Sequence, residues 1–372
     1  MLASYAMKSG DTRGRRYPEP KHEYRTDFQR DRERIIHSTA FRRLEYKTQV
    51  FVNYEGDHYR TRLTHTIEVS QIARGIARAL RLNEDLAEGI SLAHDLGHTP
   101  FGHSGETTLN RLMKEHDGFE HNRQSLKVVE LLEHRYPDFP GLNLTFELRE
   151  GILKHETIYD NPAYPADLFP HDRGTLECQV VNVADEIAYT CHDVDDGLRS
   201  GLITVDDLGQ LKLWQDLHRE VMSKYPYILN THLYRHQMVK ALIGLMITDA
   251  INASAMMIAK YKPESVDDIR QLPLNLITRS DEALSREAHL KQFLFEKMYS
   301  HHRLLRVAGK AERIITTLFE SYIGNPDQLP PNFRERIETE DVYIVVADYI
   351  AGMTDRFASQ EYKKLIDPFE LI

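Results

Sequence analysis

The sequence predicts an all-α protein. Apolar residues recur at three- and four-residue spacing through most of its 372 positions, and strand-like alternation is sparse. The helical pattern also persists beyond Gly201, with loops only near 260–280 and 323–335. The expected organisation is an N-terminal basic arm, helix and aromatic loop over 1–60, a helical core over 61–200, and a C-terminal helical region over 201–372.

Residues 1–22 read as loose, because Gly10, Gly14, Pro18 and Pro20 punctuate a polar run. Thr26 or Asp27 can cap a helix reaching about Leu44. Residues 45–60 are aromatic and irregular. From Arg62 to Leu82 the spacing predicts a helix on which His65, Val69, Ile72, Ile76 and Leu80 form one stripe, so His65 faces the core. Asp85–Asp95 forms a second helix, with Leu86, Ile90 and Ala93 inward and Gly97 ending it. A turn over Thr99–Gly105 follows, then helices from Glu106 to about His116, Gln124 to Arg135 and Glu147 to His155. Three prolines make 156–175 a long loop. Leu176 to about Gly197 is a helix with Val180, Val183, Ala184, Ile187, Ala188 and Cys191 on a wide apolar face. No internal repeat or low-complexity segment is visible.

Composition narrows the function. The formal charge of −10 argues against a general nucleic-acid coat. Residues 1–50 nevertheless carry twelve Lys/Arg against seven Asp/Glu, a net +5 that leaves −15 on the rest. That arm suits phosphates, single-stranded DNA or an acidic neighbouring subunit, or else a solvated helix with i,i+4 charge pairs. Two cysteines, Cys178 and Cys191, form no disulfide framework and fit the cytoplasm. The first thirty residues are polar and Arg-rich, unlike a signal peptide. The longest apolar stretch, Ala241–Ala259, is broken by Asp249 and Asn252 and reads as a buried helix, so no membrane is expected.

The most informative segment is Ala93–Glu106, AHDLGHTPFGHSGE, with three histidines, an aspartate and a glutamate in fourteen residues. His-Asp occurs four times in the chain, but only His94-Asp95 is followed by this turn. Taken alone, His65 is either a hydrogen-bonded core histidine or a ligand. Asp185, on a mostly apolar helix face, needs an Arg partner or a cation. With His94 and Asp95 they would supply two imidazoles and two carboxylates, a set suited to Mg, Mn, Co, Ni, Fe or Zn with open positions. It is not a closed structural zinc site. His103 and Glu106, three apart, share a helix face, and a carboxylate beside an imidazole can orient it.

These residues and several further stretches resemble the dGTP triphosphohydrolase family of the HD-domain superfamily, whose ligands run H…HD…D. The stretches are Phe28–Arg32, His37–Leu44, Lys47–Phe51, Arg62–His65, His94–Glu106, Phe119–Asn122, Gly151–Glu156, Asp185–Tyr189 and Asp348–Arg356. They cover nearly the whole chain in order. The resemblance implies a cytoplasmic homo-oligomer (dimer, tetramer or hexamer) that hydrolyses dGTP or several dNTPs to deoxynucleoside and intact triphosphate. Water activated at a divalent metal attacks the α-phosphorus. His65, His94, Asp95 and Asp185 are implied as ligands, His103 as general acid with Glu106 orienting it, and His98 and His121 as phosphate or transition-state contacts. Arg62 could grip the α-phosphate, with Lys154 and Arg235 weaker phosphate candidates. Gln49 resembles a sugar-contacting residue, Tyr189 can reach a phosphate or the sugar edge, Asp193 can accept from a 3′ hydroxyl, and Tyr234 could exclude a ribose. The short segment between Glu156 and Leu176 suggests a reduced lid or effector loop, leaving regulation by a dNTP effector open. The alternatives are another HD phosphohydrolase, acting on nucleoside monophosphates, cyclic nucleotides or ppGpp, and a non-catalytic module that senses dNTPs or binds single-stranded DNA.

Overall fold

The computed structural model describes residues 1–49, 60–155, 168, 172–228 and 231–370. Val50, Phe51, Glu156 and most of the two expected loops lie outside the described residues. In chain order the helices are α1 (Asp27–Ile36), α2 (Thr39–Arg43), α3 (Arg62–Ala79), α4 (Glu84–Ala93), α5 (Gly102–Leu112), α6 (His121–Lys127), α7 (Phe146–Leu153) and α8 (Leu176–Ser200). There follow α9 (Val205–Leu208), α10 (Lys212–Lys224), α11 (Thr231–Tyr261), α12 (Val266–Arg270), α13 (Asp281–Leu294), α14 (His302–Gly324), α15 (Pro331–Ile337), α16 (Val342–Ala351) and α17 (Asp355–Ile366). Among the described residues β pairing is limited to isolated bridges, so the fold is all-α.

Several boundaries depart from the sequence reading, each for a local reason. Thr26 caps α1 through a capping box with Gln29, as its position suggested. The helix does not reach Leu44, however. It stops at Ile36, and Ser38 caps a new helix by accepting from the Phe41 N–H. α5 begins at Gly102, four residues early, after Phe101 turns left-handed at φ 65°. α6 starts at His121, where Glu120 accepts the N–H groups of Asn122 and Arg123. It widens into a π-turn at Val128–Leu132. Thr175 caps α8, and Gly201 ends it in the left-handed region.

The described chain forms two compact units, each assembled from three separated stretches. The first comprises Met1–Asp11, Glu68–Ser91 and His171–Leu305. Within it α8 packs on α11 and α13, and α10 packs on α11. α11 departs from the buried-helix expectation. Met238, Leu242, Met246 and Ala250 are buried, whereas Leu245 and Met256 are exposed. By length and composition α11 is long and apolar enough to cross a membrane, with 28% of its apolar window buried. The N-terminal residues, expected to be loose, are pinned here: Ala3, Ala6 and Met7 are buried. The Met7 and Asn83 N–H groups both donate to Glu177 Oε1 at 3.0 Å.

The second unit comprises Thr12–Ile67, Leu92–Pro170 and Arg306–Ile372. Its core joins Phe101, Leu109 and Met113 to Ile315, Leu318 and Phe319 of α14 and to Val346 and Ile350 of α16. Part of the basic arm is held by internal ion pairs, while Lys8, Arg13, Lys21, Arg25, Arg42 and Arg43 stay exposed. Arg15, with its side chain 4% exposed, pairs with Asp31 and Asp27, Arg16 with Glu130, and Arg30 and Arg34 with Glu19.

Candidate active-site residues

The His94–Glu106 segment folds as helix end, turn and helix start. α4 ends at Ala93, which frees His94 and Asp95 from the helical ladder. Gly97 then allows a close approach to α6: a Cβ there would stand 2.2 Å from Ser125 N and 2.4 Å from His121 O. Ser125 ties the two segments together, accepting from Gly97 N and donating to His94 O, both at 2.8 Å.

Four expected residues of the second unit gather around Asp95. His65 and His94 are each 1% exposed, and their rings meet edge-on with centroids 5.7 Å apart. Asp95 is 3% exposed and accepts from Arg62 Nη1 at 2.8 Å. Arg62 is therefore a buried partner of the carboxylate and not a surface ion pair. Such a pair stabilises little in net terms, but removing one member strands a buried charge at roughly 3–5 kcal/mol. His98 Nε2 lies 3.4 Å from Asp95 Oδ1.

A second cluster follows from the turn. His98 stacks on His121 with centroids 4.0 Å apart. Burial first, and then the Arg62 charge, push His98 well below the ordinary imidazole range, so it is neutral near pH 7. Glu106 accepts from both the backbone N–H and Nδ1 of His121, each at 2.9 Å, while His103 Nδ1 lies 3.8 Å away. Burial works against the Glu106 charge, but His121 and His103 hold the carboxyl well below the usual range. Glu106 is thus bonded more closely to His121 than to His103, a partnership the i,i+3 spacing did not suggest. His103 is the open member of the group, with its side chain 55% exposed. Ligand atoms of His98, Glu106 and His121 all lie within 4.8 Å of one another, a spacing that suits a cation as well as proton relay. The two short Glu106–His121 bonds favour the relay. Gln49 is buried, and Lys154 is buried with Glu150 at 3.0 Å.

In the first unit, α8 carries Asp185, Tyr189 and Asp193 at steps of four. Asp185 and Tyr189 are half-buried and Asp193 is buried. The Tyr299 hydroxyl donates to Asp193, and it lies 2.5 Å from the Tyr189 hydroxyl. Burial, followed by the Asp193 charge, raises Tyr299 well above the ordinary phenol range, which keeps it protonated. The structure therefore brings Tyr299 to these residues, while Tyr234 bonds His218 at 2.8 Å. Tyr299 ends a π-turn, Phe295–Tyr299, 106 positions from Asp193 in sequence, and no local pattern marks it. Arg235 faces Asp195 at 3.5 Å.

Comparison with known proteins adds an independent line. The HD domain family matches residues 62–190, and the phosphohydrolase-associated domain matches 277–364. A deoxyguanosinetriphosphate triphosphohydrolase-like protein of Geobacter sulfurreducens is 51% identical over 372 residues, covering 100% of this chain and 96% of that protein. Proteins of the same description are 51% identical in Ralstonia pickettii, over 98% of this chain and 94% of theirs, and 50% identical in Bordetella pertussis, over 98% and 96%.

Proposed function

The chain belongs to the family of deoxyguanosinetriphosphate triphosphohydrolase-like proteins and is a hydrolase with an HD domain; from that premise we propose that it cleaves dGTP or several dNTPs to deoxynucleoside and intact triphosphate. The observation that carries the reading is the His98–His103–Glu106–His121 cluster beside Asp95. It combines a neutral buried imidazole, an ionised carboxylate and an exposed imidazole, which is the equipment for moving a proton at a phosphate ester.

The donor set fits a divalent cation: His65 and His94 are buried imidazoles, and Asp95 is a buried carboxylate next in the chain. In this proposal they hold the metal, with Asp185 as the fourth ligand of the H…HD…D pattern that the HD match spans. When bound, the metal lowers the pKa of water and neutralises charge on a phosphate oxygen. Arg62 orients Asp95 through its bond to the carboxylate. His103 gives a proton to the departing 5′ oxygen. Glu106 and His121 form the hydrogen-bonded pair beside it, and His98 donates to a phosphate oxygen. Asp193 accepts from the sugar 3′ hydroxyl, with Tyr189 and Tyr299 fixing its direction and Gln49 reaching the sugar. Both cysteines are buried and outside any disulfide, in keeping with work in the cytoplasm.

The test is product analysis. Purified protein is incubated with each dNTP and with GTP in Mg, Mn or Co, and the products are resolved by ion exchange. Deoxynucleoside plus triphosphate, abolished in His94→Ala, is the expected result. Release of phosphate or pyrophosphate would sink the proposal in favour of another HD phosphohydrolase.

A further inference from the structure

We propose that Asp355 and Lys47 are positioning residues for this hydrolysis: they fix the backbone of the 98–102 turn from which His103 and Glu106 project. The proposal rests on the triphosphohydrolase reading above.

Asp355 opens α17 and is 4% exposed. Its Oδ1 accepts the Phe101 N–H at 2.8 Å, and its Oδ2 accepts the Thr48 N–H at 2.9 Å together with the Thr48 hydroxyl. Lys47 is 2% exposed and donates through Nζ to two carbonyls, His98 O at 2.5 Å and Ala351 O at 2.9 Å. Arg43 Nη1 adds a bond to Gly352 O at 3.0 Å. Three stretches distant in sequence, 43–48, 98–101 and 351–355, therefore meet through two buried ionisable side chains inside the second unit.

Apolar side chains would join these stretches without the desolvation cost of burying two ionisable groups. These two groups differ in what they grip. Every one of these bonds except that to the Thr48 hydroxyl ends on a main-chain N–H or C=O, so the position of the backbone itself is specified. The turn needs that support. Phe101 holds φ 65°, a left-handed conformation costing roughly 1–2 kcal/mol for a residue with a Cβ. At Gly102, φ 58°, a Cβ would lie 3.4 Å from both Arg62 Nη2 and Gln49 O. Asp355 accepts the N–H at the strained residue, and Lys47 holds the carbonyl three residues before it. α5 starts at the next residue and carries His103 and Glu106 as a rigid body. Neither Asp355 nor Lys47 bonds a side chain among those proposed to act on substrate, which separates positioning from catalysis. The inference also gives the phosphohydrolase-associated segment, 277–364, a specific task at its C-terminal end.

The experiment uses the full chain as Asp355→Ala and as Lys47→Met. The second change keeps side-chain length and removes a buried ionisable group, so it is expected to fold. Turnover of dGTP, bound metal, and hydrogen exchange of peptides spanning 97–106 are measured on folded protein. The expected result is a fall in kcat of about 10- to 100-fold, the scale set by misplacement near 1 Å. KM and metal content stay within about twofold, the positioning signature. The 97–106 peptide exchanges faster, while peptides from α8 do not change. The proposal is overturned by unchanged exchange in that peptide, or by a kcat loss no greater than the loss of folded, metal-loaded protein. If wild-type protein releases no triphosphate from any dNTP, the functional reading fails on its own, and exchange in 97–106 still decides whether the brace exists.

Discussion

In the second unit the titratable side chains sit on an irregular backbone, where a helix ends, two successive residues turn left-handed and a new helix begins. In the first unit Asp185, Tyr189 and Asp193 follow one another along a single regular helix. The contrast shows what each geometry can supply. A helix sets side chains in a row about 6 Å apart. A row suits contacts spread along an extended ligand. Convergence of several groups on one atom needs the row to be broken. The broken backbone has then to be held by other means, here by Ser125, Lys47 and Asp355.

If that division is right, damage to the turn should act on rate and damage to the helix row on binding. The largest effect is expected for His94→Ala: dNTP hydrolysis falls by about 10⁴-fold or more, and metal quantified by mass spectrometry is lost with it. His103→Gln comes next. Its kcat should fall by about 10²- to 10⁴-fold, while KM and bound metal change little. Tyr299→Phe removes the hydroxyl that joins Asp193 and Tyr189. Steady-state kinetics should show KM for dGTP raised by about tenfold and kcat within a few-fold. A kcat loss there as large as that of His103→Gln would break the comparison.

The smallest effect concerns the foot of α8 and stability alone. Burial pushes the Glu177 carboxyl up to about 7, against the opposing N–H bonds of Asn83 and Met7. The folded protein then keeps a proton that the unfolded chain releases near 4.5. The resulting stabilisation is full below pH 4.5 and is lost as pH rises through 7, on the order of a few kcal/mol. Glu177→Gln should flatten that fall, read as Tm from pH 4.5 to 7.5, and leave kcat at pH 8 unaltered.

Local chemistry explains which parts of this were legible in sequence. The His65 stripe and the cap at Thr26 are decided by nearest neighbours, and both hold in the structure; the helix expected to end at Gly97 ends at Ala93 instead, and Gly97 serves close packing on Ser125. The break before Ser38 was also written locally, as a capping residue three positions ahead of Phe41, but the apolar pattern on both sides masked it. Other features depend on chain closure. Glu106 reaches His121 across 15 residues, and Tyr299 reaches Asp193 across 106. The early start of α5 depends on Asp355, 254 residues from Phe101. No window of sequence contains those partners.

The π-turn at Phe295–Tyr299 has a consequence for how this region tolerates change. It holds one residue more than the α-helix it extends, the length an inserted residue adds when a helix absorbs it as a widened turn. Deleting one residue between Phe295 and Met298 would therefore let the segment rewind as ordinary helix with Tyr299 close to its present phase. The stretch is expected to tolerate loss of a residue better than the regular row of α8, where one deletion turns every later side chain by about 100°.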